Sequence, residues 1–569
     1  MESGGGSPGL SRWSRVAREL LPLLVLLTVS AKSMCGEWRA RDLTESDETQ
    51  YVTFAWNATH PGAPPAEADP LYVPLYAGWY RLLMHLPVEV EYLPFVSHGA
   101  LMTVLAGLFY ALVRRLGTGR WMSVAASSLL ILNTHLAAIE PFPVHMATAL
   151  LALGVLVGTY RRSLLGACGP IGFGALAACY ARNEFGTFLL AFMPLYLAGG
   201  VWAWWRRTEY RREFLPWAVP LVIAVGVCGL TLGVPLPDGP RGIFAFGQHY
   251  ALNVAQARGG NQVEMTVNFE RVLLADFGDV KTFGEAVRAR PDAVAWHVGR
   301  NLNQLPDAVY ELFRPRVLLA LNTWKAAHLF VLGFIGIGFA GVIRRVWSGG
   351  LRGPDGQPLR VVLLTLAGVA CISGPSVLLI FPRFHYLLLP LFFLMALAVS
   401  GLPAPRWPAA LGAPDTWKVR TAGFAVGALV IGMTPTARQE WTLLRPLMMK
   451  WRPPEPSFEA RETMVLLRSL PRRPATVVLE YHFTVRSLWM AQPVSLVWHG
   501  YKAESFWAFV AKHGIEVVVL DSRLPSDPRF GGDPEFMALW NGTDTGNFVV
   551  LSSPGGARIA VRKDLLTTK

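Results

Sequence analysis

Long apolar runs, each close to the length of a bilayer-spanning helix, alternate along this chain with short polar connections. About twenty apolar residues cross the hydrocarbon of a membrane as a helix. The runs fall at about 20–31, 92–113, 121–139, 143–159, 163–180, 184–205, 214–234, 326–343, 361–381, 384–402 and 419–435. That spacing predicts a mainly α polytopic membrane protein with about eleven transmembrane helices. Two long polar stretches interrupt the series, at 35–91 and 235–325, and the second carries helical patterning at 281–312 with interleaved acidic and basic residues. From 436 to 569 the pattern changes. Short β-branched runs at 475–480, 493–498, 515–521, 547–551 and 558–562 read as strands, and 504–514 reads as an amphipathic helix ending at Gly514. Strands mixed with a helix predict a small soluble α/β domain. Gly555–Gly556, between the last two strands, fits a hairpin turn better than a phosphate loop.

Charge decides the orientation. The net charge of +13 suggests nucleic acid at first sight. The basic residues, however, gather in short loops, where they set topology instead. With a basic tail at 1–18 inside, the short inner connections carry Arg114, Arg115 and Arg120, then Arg161 and Arg162, then Arg206, Arg207, Arg211 and Arg212. Later inner loops carry Arg344, Arg345, Arg352, Arg360, Arg406, Lys418 and Arg420. The short outer connections, EPFP at 140–143, ARNE at 181–184 and FPRFHY at 381–386, are poor in basic residues. Loops 35–91 and 235–325 and the domain at 436–569 then all lie outside, around a membrane part at 19–435. The first helix is expected to stay uncleaved, because Met34 and Cys35 are poor signal-peptidase positions. Nucleic acid is not expected as a partner. The five cysteines show no CxxC and no Cys/His ligand spacing, so disulfides, zinc and other cofactors are not expected, and no divalent ion is called for.

The candidate chemistry sits on the outer side. Residues 42–60, DLTESDETQYVTFAWNATH, hold the adjacent acids Asp47 and Glu48, followed by Tyr51. An aromatic, proline-rich run with Tyr72 and Tyr76 comes next at 70–80. Carboxylates at a membrane edge are costly unless they have partners or work; Thr44–Asp47 also suit plain helix capping. Glu140 with His145, Arg182 with Glu184, and Arg383 with His385 lie at the other outer connections. Each has an ordinary structural alternative: a helix end, a local ion pair, an interfacial anchor. Collected on one face, the acids suit proton transfer and the cations suit an anionic lipid headgroup.

In order and sidedness these motifs resemble the GT-C superfamily of polyprenyl-phosphate-sugar-dependent glycosyltransferases. Within it they resemble the protein O-mannosyltransferase and lipid A aminoarabinose transferase group (glycosyltransferase family 39-like). The matching features are SDETQY in the first outer loop, DPLYVPLYAGWY before the second helix, IEP after the third, ARNE, and PRFHYLLLPL. The resemblance implies a GT-C-like helical bundle and an inverting transfer from a polyprenyl-phosphate-linked sugar donor to a lipid, glycan or protein acceptor. It implies Asp47 as general base, with Glu48 and Glu140 orienting the acceptor or sugar. Tyr51, Tyr72, Tyr76, His145 and Glu184 would then contact substrate, and Arg182, Arg383 and His385 would offset phosphate charge. It further implies membrane lipids as surroundings and a bacterial inner membrane with the site on the periplasmic side. Two departures stand out. The family's Lys-Pro-Pro or His-Pro-Pro before the second helix is Val73–Pro74–Leu75 here, and Phe384–His385 stands where Arg-Tyr is usual. Both shift the expected phosphate contacts toward Arg182, Arg383 and His385.

A multi-span transporter or flippase is the alternative. Glycine and proline inside apolar runs, as in GPIGFG at 169–174, favour it. The absence of an inverted repeat and the scarcity of charge at mid-membrane depth oppose it.

Overall fold

The computed structural model describes residues 12–35, 42–43, 47–57, 59, 73–131, 143–206, 209–234, 240–259, 269–312, 325–352, 354–380, 384–402, 425, 427–432, 434, 459–471, 476–480, 495–496, 505–526 and 530–567. Among the described residues helices dominate, with one five-stranded sheet near the C-terminus. Among the described residues four helices are long and apolar enough to cross a membrane: Val90–Arg115, Leu164–Ala181, Asn183–Arg206 and Arg212–Leu232. Shorter apolar helices occupy Leu20–Met34, Pro143–Gly158, Gln357–Cys371 and Leu387–Gly401. The chain is an integral membrane protein, while the expected count of eleven spans goes beyond these four. The run at 121–139 is helical over Arg120–Ile131, and only 425, 427–432 and 434 are described in the run at 419–435.

The chain forms two compact units. The first holds most of the apolar helices. Its tightest packing joins Pro143–Gly158 to Leu164–Ala181, and glycines make it so. A Cβ on Gly154 would lie 2.5 Å from the Pro170 carbonyl oxygen, and one on Gly174 2.8 Å from that of Leu150. In GPIGFG, Gly169 meets Trp217 and Gly172 meets Leu221. These glycines are occupied with helix packing, the use small residues have between membrane helices. Ser163 caps Leu164–Ala181 by accepting from the Gly166 amide at 3.0 Å. On Glu209–Leu232 the outward face is apolar, with Ile223 exposed and Leu230 90% exposed, a surface suited to lipid rather than water. Two of the basic residues between apolar runs are tied down. Arg115 donates to the Thr159 carbonyl at 2.9 Å and lies over the Tyr160 ring, and Arg345 donates to the Leu116 carbonyl at 3.1 Å.

The second unit combines described residues between 42 and 98 with those from 459 onward. Its sheet has the order β2-β1-β3-β5-β4, with β1 Val477–Leu479, β2 Ser495–Leu496, β3 Val517–Val519, β4 Phe548–Ser552 and β5 Arg558–Arg562. The pairs β1–β2 and β1–β3 are parallel, and β3–β5 and β4–β5 antiparallel. Gly556, at φ 97°, makes the turn between β4 and β5, a backbone region that favours glycine. Alternate residues divide between two cores, as the period of two requires. Val478, Val517, Val519, Ile559 and Val561 pack with Ala460, Met464, Leu467, Leu43 and Phe95. Leu479, Val518 and Ala560 face Phe506, Phe509 and Phe536 on the other side.

Candidate functional site

Within the second unit, the acidic pair opens the helix Asp47–Asn57. Glu48, Val52 and Ala55 follow helical spacing and are buried with Tyr51, so Glu48 belongs to the packed face. Asp47 precedes it by one position, about 100° of helical rotation. A second helix, Pro74–Leu83, begins on Pro74, whose missing N–H costs nothing at a helix start. Its Tyr76 and Tyr80 are spaced i, i+4 and both fully buried. Both phenols reach one carboxylate oxygen: Tyr76 donates to Glu48 Oε1 at 2.5 Å, and Tyr80 donates to the same atom. The rings support one another edge to face, Tyr51 on Tyr76 at 5.1 Å and Tyr76 on Tyr80 at 5.5 Å. Trp79 Nε1 donates to Ser97 Oγ at 2.9 Å, fixing this helix to the start of Leu93–Arg115.

Two phenol donors hold the buried Glu48 side chain. Burial pushes both phenols well above their ordinary pKa, and the negative Glu48 adds to this. They remain donors at every accessible pH. Charge-assisted hydrogen bonds of this kind are about twice as strong as neutral ones, and they offset part of the cost of burying the acid. Glu48, at 1% exposure, fastens one helix to the other. The structure thus brings Glu48, Tyr51 and Tyr76 together and sets Asp47 beside them in sequence. Tyr80 escapes sequence reading, although its spacing from Tyr76 was visible.

The other candidates belong to the first unit or lie outside the described residues. Arg182 is buried and grips Glu184 with both Nε and Nη2, the latter at 3.2 Å from Oε1. His145 is buried in the first turns of Pro143–Gly158. His385 is the second residue of the helix Phe384–Gly401. Tyr72, Glu140 and Arg383 lie outside the described residues, as do the motif IEP and Pro382.

One further polar cluster in the first unit has no counterpart in the sequence reading. His297 and Asn301, on Pro291–Leu312, are fully buried beside Asn253 of Pro240–Arg258. Asn301 Nδ2 donates to the Leu378 carbonyl at 2.8 Å, which leaves its Oδ1 to accept from Asn253 Nδ2 at 2.9 Å. Asn253 Nδ2 also donates to His297 Nδ1 at 2.9 Å, and its Oδ1 accepts from Gln304 at 3.0 Å. His297 Nε2 lies 3.1 Å from the Ile380 carbonyl, an acceptor only, and 3.1 Å from Asn301 Nδ2, so a neutral ring with its proton on Nε2 donates to the carbonyl while Nδ1 accepts from Asn253. Burial pushes its pKa down to about 4, against the opposing pull of the Ile380 and Leu379 carbonyls. The cluster satisfies carbonyls at the end of Gln357–Leu379, immediately before Phe381–Pro382–Arg383 in the sequence. The signal was the i, i+4, i+7 spacing of His297, Asn301 and Gln304.

No family model and no curated protein matches the chain. Among solved structures, the apo oligosaccharyltransferase of Archaeoglobus fulgidus is similar over 97% of this chain and 75% of its own, with a TM-score of 0.47 and 12% identity. ArnT from Cupriavidus metallidurans in the apo state is similar over 98% of this chain and 100% of its own, with a TM-score of 0.36 and 14% identity. The same ArnT bound to undecaprenyl phosphate gives a TM-score of 0.33 at 12% identity, over 98% of this chain and 100% of its own. At TM-scores below 0.5 the likeness carries no argument about chemistry, which rests on the residues of this chain.

Proposed function

We propose that this chain is an inverting membrane glycosyltransferase that takes a sugar from a polyprenyl-phosphate carrier and passes it to an acceptor hydroxyl on the outer face. One observation carries the reading: Glu48 is buried and clamped by Tyr76 and Tyr80, which ties the helix that opens with Asp47 to Pro74–Leu83. Asp47 is the base. It takes the acceptor O–H proton as the acceptor oxygen bonds to the sugar C1 from the face opposite the carrier. The C1–O bond to the phosphate breaks, and polyprenyl phosphate leaves with the electron pair. Glu48 is a positioning residue rather than a substrate contact. Arg383 and His385 offset the leaving phosphate charge, because Arg182 is already forked onto Glu184. The membrane is crossed about eleven times, with the site on the outer, periplasmic side of a bacterial inner membrane.

The test is direct. Purified protein is incubated with a panel of labelled polyprenyl-phosphate sugars and candidate acceptors. At least one donor is consumed by the wild type, and Asp47→Asn lowers turnover by about 10²–10⁴-fold, the usual contribution of a general base, with carrier binding unchanged. Undiminished turnover in Asp47→Asn removes Asp47 from the mechanism.

A further inference from the structure

The ten-residue helix Glu459–Arg468 is held at both ends by the first outer loop, within the second unit. At its start, Asp42 accepts from the Ala460 amide at 2.8 Å and from the Arg461 amide at 3.0 Å. The same carboxylate accepts from its neighbour Leu43 at 2.8 Å. Asp42 therefore caps a helix 418 residues away, neutralising amides that have no partner inside the helix. At the other end Arg468 contacts Glu91 at 2.5 Å, with Glu89 at 3.4 Å. Glu91 is buried, so this is no ordinary surface pair. Between the two ends Ala460, Met464 and Leu467 pack on Leu43, Phe95 and Tyr92. The opposite signs at the two ends also suit the helix dipole, negative at the start and positive at the finish.

The sequence positions give this clamp its meaning. Asp42 lies just before Asp47, and Glu89–Glu91 lies just after the helix carrying Tyr76 and Tyr80. The acidic segment is thus stapled at its entry and its exit to one helix of the C-terminal domain. A domain serving only to bind acceptor has no need of such a double attachment.

We propose that Glu459–Arg468 is a brace, with Asp42, Glu91 and Arg468 as positioning residues through which the C-terminal domain holds the acidic helix in register for transfer. This rests on the reading of Asp47 as the base. The brace lives in contacts that neither end of the chain makes alone, so full-length protein is the object to test.

Arg468→Met, Arg468→Lys and Asp42→Asn are compared with Arg562→Met. Arg562 pairs with Glu516 and Asp564 on β5 and makes neither contact of the brace, so it reports general damage to the sheet. Two readouts are taken: hydrogen exchange of backbone amides in 47–57, and kcat and donor KM for the labelled polyprenyl-phosphate sugar that the wild type uses. Arg468→Met is expected to speed exchange across 47–57 by about tenfold and to lower kcat by a similar factor, with donor KM within about twofold, since a charge-assisted buried pair is lost while the donor site is untouched. Arg468→Lys recovers part of both effects. Asp42→Asn, which keeps one acceptor oxygen, falls between. Arg562→Met changes neither readout.

Unchanged exchange over 47–57 in both Arg468→Met and Asp42→Asn overturns the brace. So does an equal effect from Arg562→Met, which would make it general destabilisation. If wild type consumes no polyprenyl-phosphate sugar, the transferase reading fails on that measurement, while the exchange data still decide whether the brace exists.

Discussion

Protonation of His297 should destabilise the first unit over a defined pH window. The neutral ring donates from Nε2 to the Ile380 carbonyl and accepts on Nδ1 from Asn253. A second proton would set Nδ1–H against the Asn253 amide hydrogens in a site closed to water. The folded pKa is about 4, below the ordinary value of 6.5. The folded state therefore binds fewer protons than the unfolded state between these values. The full contribution is present above pH 6.5 and is lost as pH falls toward 4. At pH 5 the loss is about 2 kcal/mol, and by pH 4 it approaches about 3 kcal/mol, since each pH unit crossed between the two values is worth about 1.4 kcal/mol. The other groups facing the ring, Asn253, Asn301, Phe246 and the carbonyls, do not titrate here, and burial, helped by the hydrogen bond to Asp276, raises the Tyr250 phenol well out of this range. Reversible unfolding in mixed detergent micelles, followed by tryptophan fluorescence, gives the free energy at pH 7.5 and 5.0 for wild type and His297→Asn. The variant starts less stable, because a ring is removed from a full core. The comparison that matters is the slope: wild type loses about 2 kcal/mol more than the variant between the two pH values. Equal losses in the two proteins refute the assignment of a buried, neutral His297.

Tyr76→Phe and Tyr80→Phe each remove a hydrogen bond to a buried carboxylate and should cost about 1.5–3 kcal/mol, read as faster thermal inactivation. In a Glu48→Gln background the same changes should cost less, and full additivity would show that the tyrosines do not act through Glu48. Arg383→Lys should weaken carrier use and Arg383→Ala weaken it further, because lysine cannot reproduce a forked phosphate contact; lost stability with unchanged carrier affinity would make Arg383 an interfacial anchor. In a background with the five native cysteines replaced, Lys512→Cys should react with an impermeant thiol reagent from outside, and Gly119→Cys only after permeabilisation. Labelling of Lys512→Cys from the cytoplasm alone would invert the topology and remove the outer-face site.

Local pattern determined much of this protein. Apolar runs marked the helices at 93–115, 164–181, 186–206 and 209–232, and short β-branched runs marked the strands around 477, 517, 548 and 558. Both signals depend only on neighbours within a few residues, so they survive in a single sequence. The acidic pair was visible for the same reason, since charge beside an apolar run is costly wherever it occurs. The tertiary structure decided which side chains each charge meets. Arg182 meets Glu184 through a fork formed at the end of a helix. Glu48 meets two tyrosines because of how Pro74–Leu83 docks on Asp47–Asn57. GPIGFG reads alike as a hinge or as a packing surface until Gly154 and Trp217 are placed against it. Asp42 capping Ala460, and Asn253 reaching His297, join residues that share no period. Such pairs are set by how buried polar groups find partners once the helices have packed, and that requirement acts across the fold rather than along the chain.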